Sequence, residues 1–120
     1  MKILVVDDDR LILNALSHNL KEEGYEISLA EDGFQALSIL QNQKIDLVIS
    51  DIMMPNVSGL SLLSLLKQFY FDTIPIILIS SLDQGELIIR SVGLGAANFL
   101  TKPIDFKKLI HLVKTLLKNR

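Results

Sequence analysis

The chain has 120 residues, no cysteine, and 12 basic against 14 acidic side chains, which gives a formal net charge of −2 at pH 7. The lack of cysteine excludes disulfides, thiolate metal sites and a cysteine nucleophile, and the balanced charge argues against direct binding of nucleic acid. The length predicts one domain over residues 1–120. The apolar runs are too short to cross a membrane and none is a secretory signal, so we expect a cytoplasmic protein.

Strand-like and helix-like segments alternate along the chain. Short apolar runs predict strands at 2–6, 25–30, 46–50, 75–79 and 97–101. Apolar residues at helical spacing predict helices at 10–23, 33–42, 59–70 and 105–118, and a softer, glycine-rich helix at 82–96. Asp9 and Asp105 are expected to cap the first and last helices, and Gly24 to end the first. This alternation is typical of βαβ units with a parallel sheet.

The composition of each run predicts its place in the sheet. The first, third and fourth runs are continuously apolar, as strands covered by helices on both faces are. The second run alternates and the fifth is short and holds Asn98, which favours edge positions; the alternating residues are Tyr25, Ile27 and Leu29 against Glu26 and Ser28. The pattern predicts a doubly wound, flavodoxin-like α/β fold, (βα)5, with five parallel strands in the order 2-1-3-4-5.

Polar side chains follow four of the predicted strands. Asp7 and Asp8 follow the first strand, Asp51 the third, Ser80 the fourth and Lys102 the fifth. Because the carboxyl ends of parallel strands meet at one edge, where α/β proteins bind their ligands, we expect these side chains to share a site. Neighbouring carboxylates repel one another unless a cation compensates them, and Mg²⁺ prefers such oxygen ligands. The sequence therefore predicts a magnesium site.

These groups fit the requirements of phosphoryl transfer. That reaction needs a positioned nucleophile and cations that neutralise the charge on the transferred group. Lys102 supplies a compact positive charge and Ser80 a hydroxyl donor. A carboxylate nucleophile would yield an aspartyl phosphate.

Four motifs and their spacing carry a resemblance to a known family: VVDDD (5–9), SDIMMPNVSG (50–59), PIILIS (75–80) and GAANFLTKP (95–103). Over nearly its whole length the chain resembles the response-regulator receiver domain of two-component signalling. The resemblance implies a phosphorylation-dependent switch rather than an enzyme. It also implies that Asp51 accepts phosphate from a phosphohistidine on a sensor kinase or phosphotransfer protein.

The resemblance further implies individual roles around Asp51. Asp8 and Asp51 would bind Mg²⁺ directly, together with the carbonyl of Met53, and Asp7 would bind it mainly through water. Lys102 and Ser80 would contact the phosphoryl oxygens, with Lys102 preceding a cis proline, Pro103. Ser80 and Phe99 would act as the switch residues.

Segment 82–96 carries three glycines and more apolar residues than a helix of this fold can bury, which suits a remodelled partner surface made of this segment, the fifth strand and the last helix. We expect Leu87 to be exposed there. A downstream effector domain or protein would bind this surface, and the chain would be a monomer or a phosphorylation-dependent homodimer. Both a stand-alone regulator and the receiver of a longer protein fit the sequence.

Two other classes of protein remain as alternatives. A small phosphohydrolase would use Asp7 as its nucleophile within an Asp-x-Asp motif, although Leu11 stands where such enzymes carry Thr or Val. A binding module would keep the fold without being phosphorylated, which the retention of all the site side chains argues against.

Overall fold

The structure, a computed structural model, describes residues 1–54, 58–69, 74–81, 93, 95 and 98–118. These residues form five strands and four helices in the order β1 (Lys2–Val6), α1 (Arg10–Glu22), β2 (Glu26–Ala30), α2 (Gly33–Asn42), β3 (Leu47–Asp51), α3 (Gly59–Phe69), β4 (Ile76–Ser80), β5 (Asn98–Thr101) and α4 (Phe106–Leu117). The predicted positions of these elements are confirmed to within one or two residues. The further helix predicted at 82–96, with Leu87, lies outside the described residues except for positions 93 and 95. Within the described ranges, no helix combines the length and apolarity that a membrane span requires.

The five strands form one parallel sheet in the order β2-β1-β3-β4-β5, so the predicted topology is confirmed. The register aligns Val6 of β1 with Ser50 of β3, and Asp51 of β3 with Ile79 of β4. Ser80 in turn pairs with Thr101 of β5. This alignment brings the carboxyl ends of β1, β3, β4 and β5 level with one another.

Helices cover both faces of the sheet, and alternate residues of each central strand pack on opposite sides. Leu4, Val48 and Leu78 pack beneath α2 and α3. Their neighbours Val5, Ile49 and Ile77 pack beneath α1 and α4. Every residue of β3 and β4 is buried, which explains why these runs are continuously apolar until the site is reached.

The alternating run forms the edge strand β2, as predicted, and its apolar residues differ in burial. Among the apolar residues of this run, Tyr25 and Ile27 are partly buried against the core. Leu29 is instead 40% exposed. It borders an open cleft beside the first turns of α1 and α2.

The helix ends follow the local sequence as predicted. Asp9 caps α1, with its Oδ1 accepting a hydrogen bond from Leu11 N at 2.9 Å, and Asp105 caps α4 through Lys108 N at 3.2 Å. Gly24 follows α1 with a φ of +92°, a conformation that glycine adopts without steric cost, and its N–H donates to Lys21 O at 3.0 Å. The cap at Asp9 is important for the site because it turns the chain away immediately after Asp7 and Asp8.

Candidate functional site

Asp7, the first residue beyond β1, is completely buried. Its N–H donates to Ala30 O at 3.1 Å, and its Oδ1 accepts a hydrogen bond from Asp9 N at 2.9 Å. Its Oδ2 is also buried but accepts no hydrogen bond from the described residues. The next residue, Asp8, is exposed at the surface. The two carboxylates therefore differ sharply in their access to solvent.

Asp51 is the last residue of β3 and is only 6% exposed. Its Oδ1 accepts a hydrogen bond from Met53 N at 3.2 Å and its Oδ2 one from Lys102 Nζ at 3.1 Å. Ile52 N donates to Ile79 O at 2.9 Å, which continues the β3–β4 ladder just past the carboxylate. Met53, two residues on, is 53% exposed at the rim.

Lys102 reaches the two buried carboxylates from the far side of the sheet. Its N–H donates to Ser80 O at 2.8 Å, and its peptide bond to Pro103 is cis, as the resemblance implied. Its Nζ lies 3.1 Å from Asp51 Oδ2 and 3.5 Å from Asp7 Oδ2. Burial alone would lower the pKa of Lys102, but the hydrogen bond and charge of Asp51, with Asp7 beside it, raise that pKa above its ordinary value.

The carboxylates of Asp7, Asp8 and Asp51 form an acidic cluster in which one oxygen of each lies within 4.8 Å of the others. Burial raises the pKa of Asp7 from 3.8 to about 6, helped by the charges of Asp51 and Asp8 and opposed by the Asp9 N–H and Lys102. The buried Asp7 Oδ2, which accepts no hydrogen bond from the described residues, and the all-oxygen donor set suit a hard divalent cation such as Mg²⁺.

Of the two predicted switch residues, Ser80 lies at the edge of the sheet that carries the site, and Phe99 does not. Ser80 ends β4 at the same edge, completely buried, and its Oγ has no hydrogen-bond partner among the described residues. Phe99 pairs with Leu78 and is partly buried on the face of the sheet beneath α2 and α3. The structure thus places Ser80 at the edge that carries the acidic cluster and Phe99 in the adjoining core.

Gly59, the first residue of α3, is a site residue that sequence reasoning did not single out. It is buried, and its N–H donates to Ile52 O at 3.0 Å. A Cβ at this position would lie 2.4 Å from the carbonyl oxygen of Asp51. The available signal was its place at the end of the motif SDIMMPNVSG, but a residue without a side chain offers no chemistry to attract notice.

Fold and site together define a class: a doubly wound α/β protein with an acidic, lysine-bridged cluster beside β1 and β3, where the strand order reverses. The model of the response regulator receiver domain family matches residues 3–114. The chain belongs to this family, whose members are the phosphoacceptor switches of two-component signalling. The resemblance noted from the sequence is thereby confirmed.

Two curated relatives illustrate the match. The response regulator MprA of Mycobacterium sp. (strain KMS) is 34% identical over 119 residues, covering 99% of this chain and 51% of that protein. A probable transcriptional regulatory protein of Picosynechococcus sp. is 36% identical over 126 residues, covering 99% of this chain and 50% of that protein. The chain therefore spans about half the length of these relatives.

Solved structures agree with the assignment. The receiver domain of the Francisella response regulator 1452 superimposes with a TM-score of 0.90 at 36% identity, covering 98% of this chain and 97% of that one. The chemotaxis response regulator CheY4 of Vibrio cholerae gives a TM-score of 0.87 at 31% identity, covering 97% and 98%.

Proposed function

We propose that residues 1–120 form one receiver domain in which Asp51 is the phosphoacceptor. The observation that carries this proposal is the contact of 3.1 Å between Lys102 Nζ and Asp51 Oδ2. It places a cation beside a nearly buried carboxylate, where the charge of a transferred phosphoryl group would develop. Asp7 is less suitable as an acceptor because it is fully buried.

In the proposed reaction a carboxylate oxygen of Asp51 forms a bond to the phosphorus of a phosphohistidine. The phosphorus–nitrogen bond of the donor breaks, and the imidazole leaves with the electron pair and takes up a proton. Lys102 is positioned to neutralise charge on the phosphoryl oxygens. The hydroxyl of Ser80, which has no hydrogen-bond partner in the part of the chain that the structure describes, is available to donate to one of them.

Asp7, Asp8 and Asp51 are the residues that would hold Mg²⁺, together with the carbonyl of Met53. A bound Mg²⁺ ion would offset the negative charge that the acidic cluster and the phosphoryl group bring together. The chain contributes the fixed carboxylates: the Asp9 N–H orients Asp7 and the Met53 N–H orients Asp51. The roles of Asp8 as a direct ligand and of Asp7 through water stay part of the proposal.

Phosphorylation would be transmitted through Ser80 and Phe99. A phosphoryl group adds nearly two negative charges and new acceptor oxygens, so Ser80, whose hydroxyl has no hydrogen-bond partner among the described residues, gains a hydrogen bond. Such a differential contact is what biases a conformational equilibrium. Phe99 lies three residues before Lys102 and packs against the core beneath α2 and α3, where it can respond to movement of β4 and β5.

The partners we propose follow from this role. A sensor histidine kinase or phosphotransfer protein supplies the phosphate, and an effector domain or protein binds the surface of segment 82–96, β5 and α4. We expect a cytoplasmic location, no direct contact with nucleic acid or membrane, and a monomer that can form a homodimer on phosphorylation. The domain acts as a switch, with no catalysis beyond its own phosphorylation and dephosphorylation.

Labelling by a small phosphodonor tests the proposal. The protein is incubated with acetyl phosphate and Mg²⁺, and its mass is measured before and after proteolysis. We expect one phosphate on the peptide that contains Asp51, and none after the substitution Asp51→Asn. The matched control is Asp46→Asn, which changes a carboxylate to an amide at the opposite end of the sheet, where Asp46 Oδ2 accepts a hydrogen bond from Lys2 N at 2.9 Å.

The same experiment separates the alternatives. Label on Asp7 that survives Asp51→Asn would identify a phosphohydrolase. No label on the wild-type protein, with Mg²⁺ and fresh donor present, would favour a binding module. Either result would overturn the assignment of Asp51 as the phosphoacceptor.

A further inference from the structure

We infer that Gly59 is a positioning residue for Asp51, an inference that rests on the proposed function of that carboxylate. The missing side chain of Gly59 lets the peptide carbonyl of Asp51 lie directly against the first turn of α3. This close approach, together with the hydrogen bond from the Ser50 hydroxyl to the same carbonyl, aligns the Asp51 carboxylate with Lys102. Gly59 has no side chain that could react with phosphate, and the Ser50 hydroxyl is buried and donates to the Asp51 carbonyl.

There is no room for a side chain at position 59. A Cβ on Gly59 would lie 2.4 Å from Asp51 O, 2.8 Å from Ile52 Cα and 3.1 Å from Asp51 C, and all three are backbone atoms. A flexible side chain could rotate away from such a contact, but backbone held in a sheet cannot. Because ordinary contacts begin near 3.4 Å, a methyl group would force β3 and α3 apart by roughly 1 Å.

The backbone beyond Asp51 is held on both sides, so this displacement would not be absorbed elsewhere. Ile52 N donates to Ile79 O at 2.9 Å, and Ile52 O accepts from Gly59 N at 3.0 Å. Ser50 Oγ donates to the same Asp51 carbonyl at 3.0 Å. Ile52 is buried, with its side chain in the core beside α3. The end of β3 is thus held between β4 and α3.

The carboxylate would move together with its backbone. Its two hydrogen bonds, from Met53 N at 3.2 Å and from Lys102 Nζ at 3.1 Å, have little room to stretch before they are lost. A displacement of about 1 Å in a reacting group can reduce a rate on the order of 100-fold. The backbone of Gly59 is not in the left-handed region, so the effect of alanine there comes from space alone.

The test compares Gly59→Ala with Ile45→Ala. Ile45 belongs to the same core cluster as Ile52 but precedes β3, at the opposite end of the sheet, so its truncation destabilises the protein without touching Asp51. Both variants and the wild type are labelled with acetyl phosphate and Mg²⁺ over a range of donor concentrations, well below their melting temperatures. We expect Gly59→Ala to lower the maximal rate at least tenfold, with little change in the half-saturating donor concentration, and Ile45→Ala to leave the rate unchanged.

A second readout does not depend on phosphorylation. The carboxyl ¹³C resonance of Asp51, assigned by its absence from Asp51→Asn, reports the contact with Lys102. We expect it to shift in Gly59→Ala and to stay in place in Ile45→Ala. If the wild type is not labelled at Asp51, the proposed function fails, and this resonance alone decides whether Gly59 positions the carboxylate.

Two results would overturn the inference. One is a folded Gly59→Ala protein with the wild-type rate and an unmoved resonance. If Gly59→Ala does not fold, Ser50→Ala decides, because it removes the other contact to the same carbonyl and adds no bulk. A drop of threefold or more in its rate would support the inference, and an unchanged rate would overturn it.

Discussion

The middle of the sheet and its carboxyl edge are similarly buried, but the first is made of apolar side chains and the second of charged ones. Ile49 is completely buried in the middle of β3, and Asp51, two residues later, is 6% exposed. The first packs among apolar side chains beneath α1 and α4, while the second shares one lysine with another buried carboxylate. Burial stabilises the first arrangement and costs free energy in the second. Substitutions in the two regions should therefore shift stability in opposite directions.

The largest effect is expected in the middle of the sheet. Ile49→Ala removes a fully buried side chain from β3 and leaves a cavity, which costs about 2–5 kcal/mol of unfolding free energy. Urea denaturation measures the loss. Ile27→Ala on the edge strand is the comparison variant, and its loss should be smaller because Ile27 is only partly buried. Equal losses at the two positions would contradict the distinction between central and edge strands.

Removing the charge of Asp7 should instead increase the stability of the protein. Its pKa is about 6 in the folded protein and 3.8 when exposed, so between these values the folded state binds more protons than the unfolded one. Ionisation of Asp7 therefore lowers the free energy of unfolding as the pH rises from about 4 to about 6, by roughly 3 kcal/mol in total. Asp7→Asn removes this dependence because its amide does not titrate.

The measurement is urea denaturation of wild type and Asp7→Asn in EDTA, at pH values from 4 to 7.5. We expect the variant to be as stable as wild type near pH 4 and more stable, by up to about 3 kcal/mol, at pH 7. Added Mg²⁺ should narrow the gap by binding the wild type. A difference between the two proteins that does not change with pH would show that Asp7 is not destabilised by ionisation.

The smallest effect is expected at Ser80. Because its buried hydroxyl has no hydrogen-bond partner among the described residues, Ser80→Ala should leave stability unchanged or raise it by up to about 1 kcal/mol. Ser50 is the matched comparison: it is equally buried, but its hydroxyl donates to Asp51 O at 3.0 Å, so Ser50→Ala should lose about 1 kcal/mol. Thermal unfolding of the two variants checks the contrast, which fails if both lose stability equally.

Most of the fold could be predicted from the sequence because a strand's place in the sheet decides how many of its faces are covered by helices, and therefore which of its residues are apolar. A strand packed on both faces, such as β3, must be apolar at every position, whereas an edge strand need not be. The exposure of Leu29 could not be predicted from alternation. It depends on how α1 and α2 pack beside the end of β2, where the cleft that Leu29 borders lies.

The topology of the fold made it predictable that the site residues lie close together, but not which of their charges are buried. Parallel strands end at one edge, so Asp7, Asp51 and Lys102 had to lie near one another. The sequence Asp7-Asp8 does not reveal that one carboxylate is buried and its neighbour exposed. Gly59 was missed because its importance lies in a distance between backbone atoms, which only coordinates provide.

The ammonium group of Lys102 has a consequence for reagents that modify amines. An amine must lose its proton before it can attack an acylating reagent, and two carboxylates keep this one protonated. Lys107 and Lys108 of α4 are exposed, so they should react first while Lys102 remains intact. Acylation of the native protein would then mark its outer surface and leave the lysine of the acidic cluster as an internal reporter of whether those carboxylates are in place.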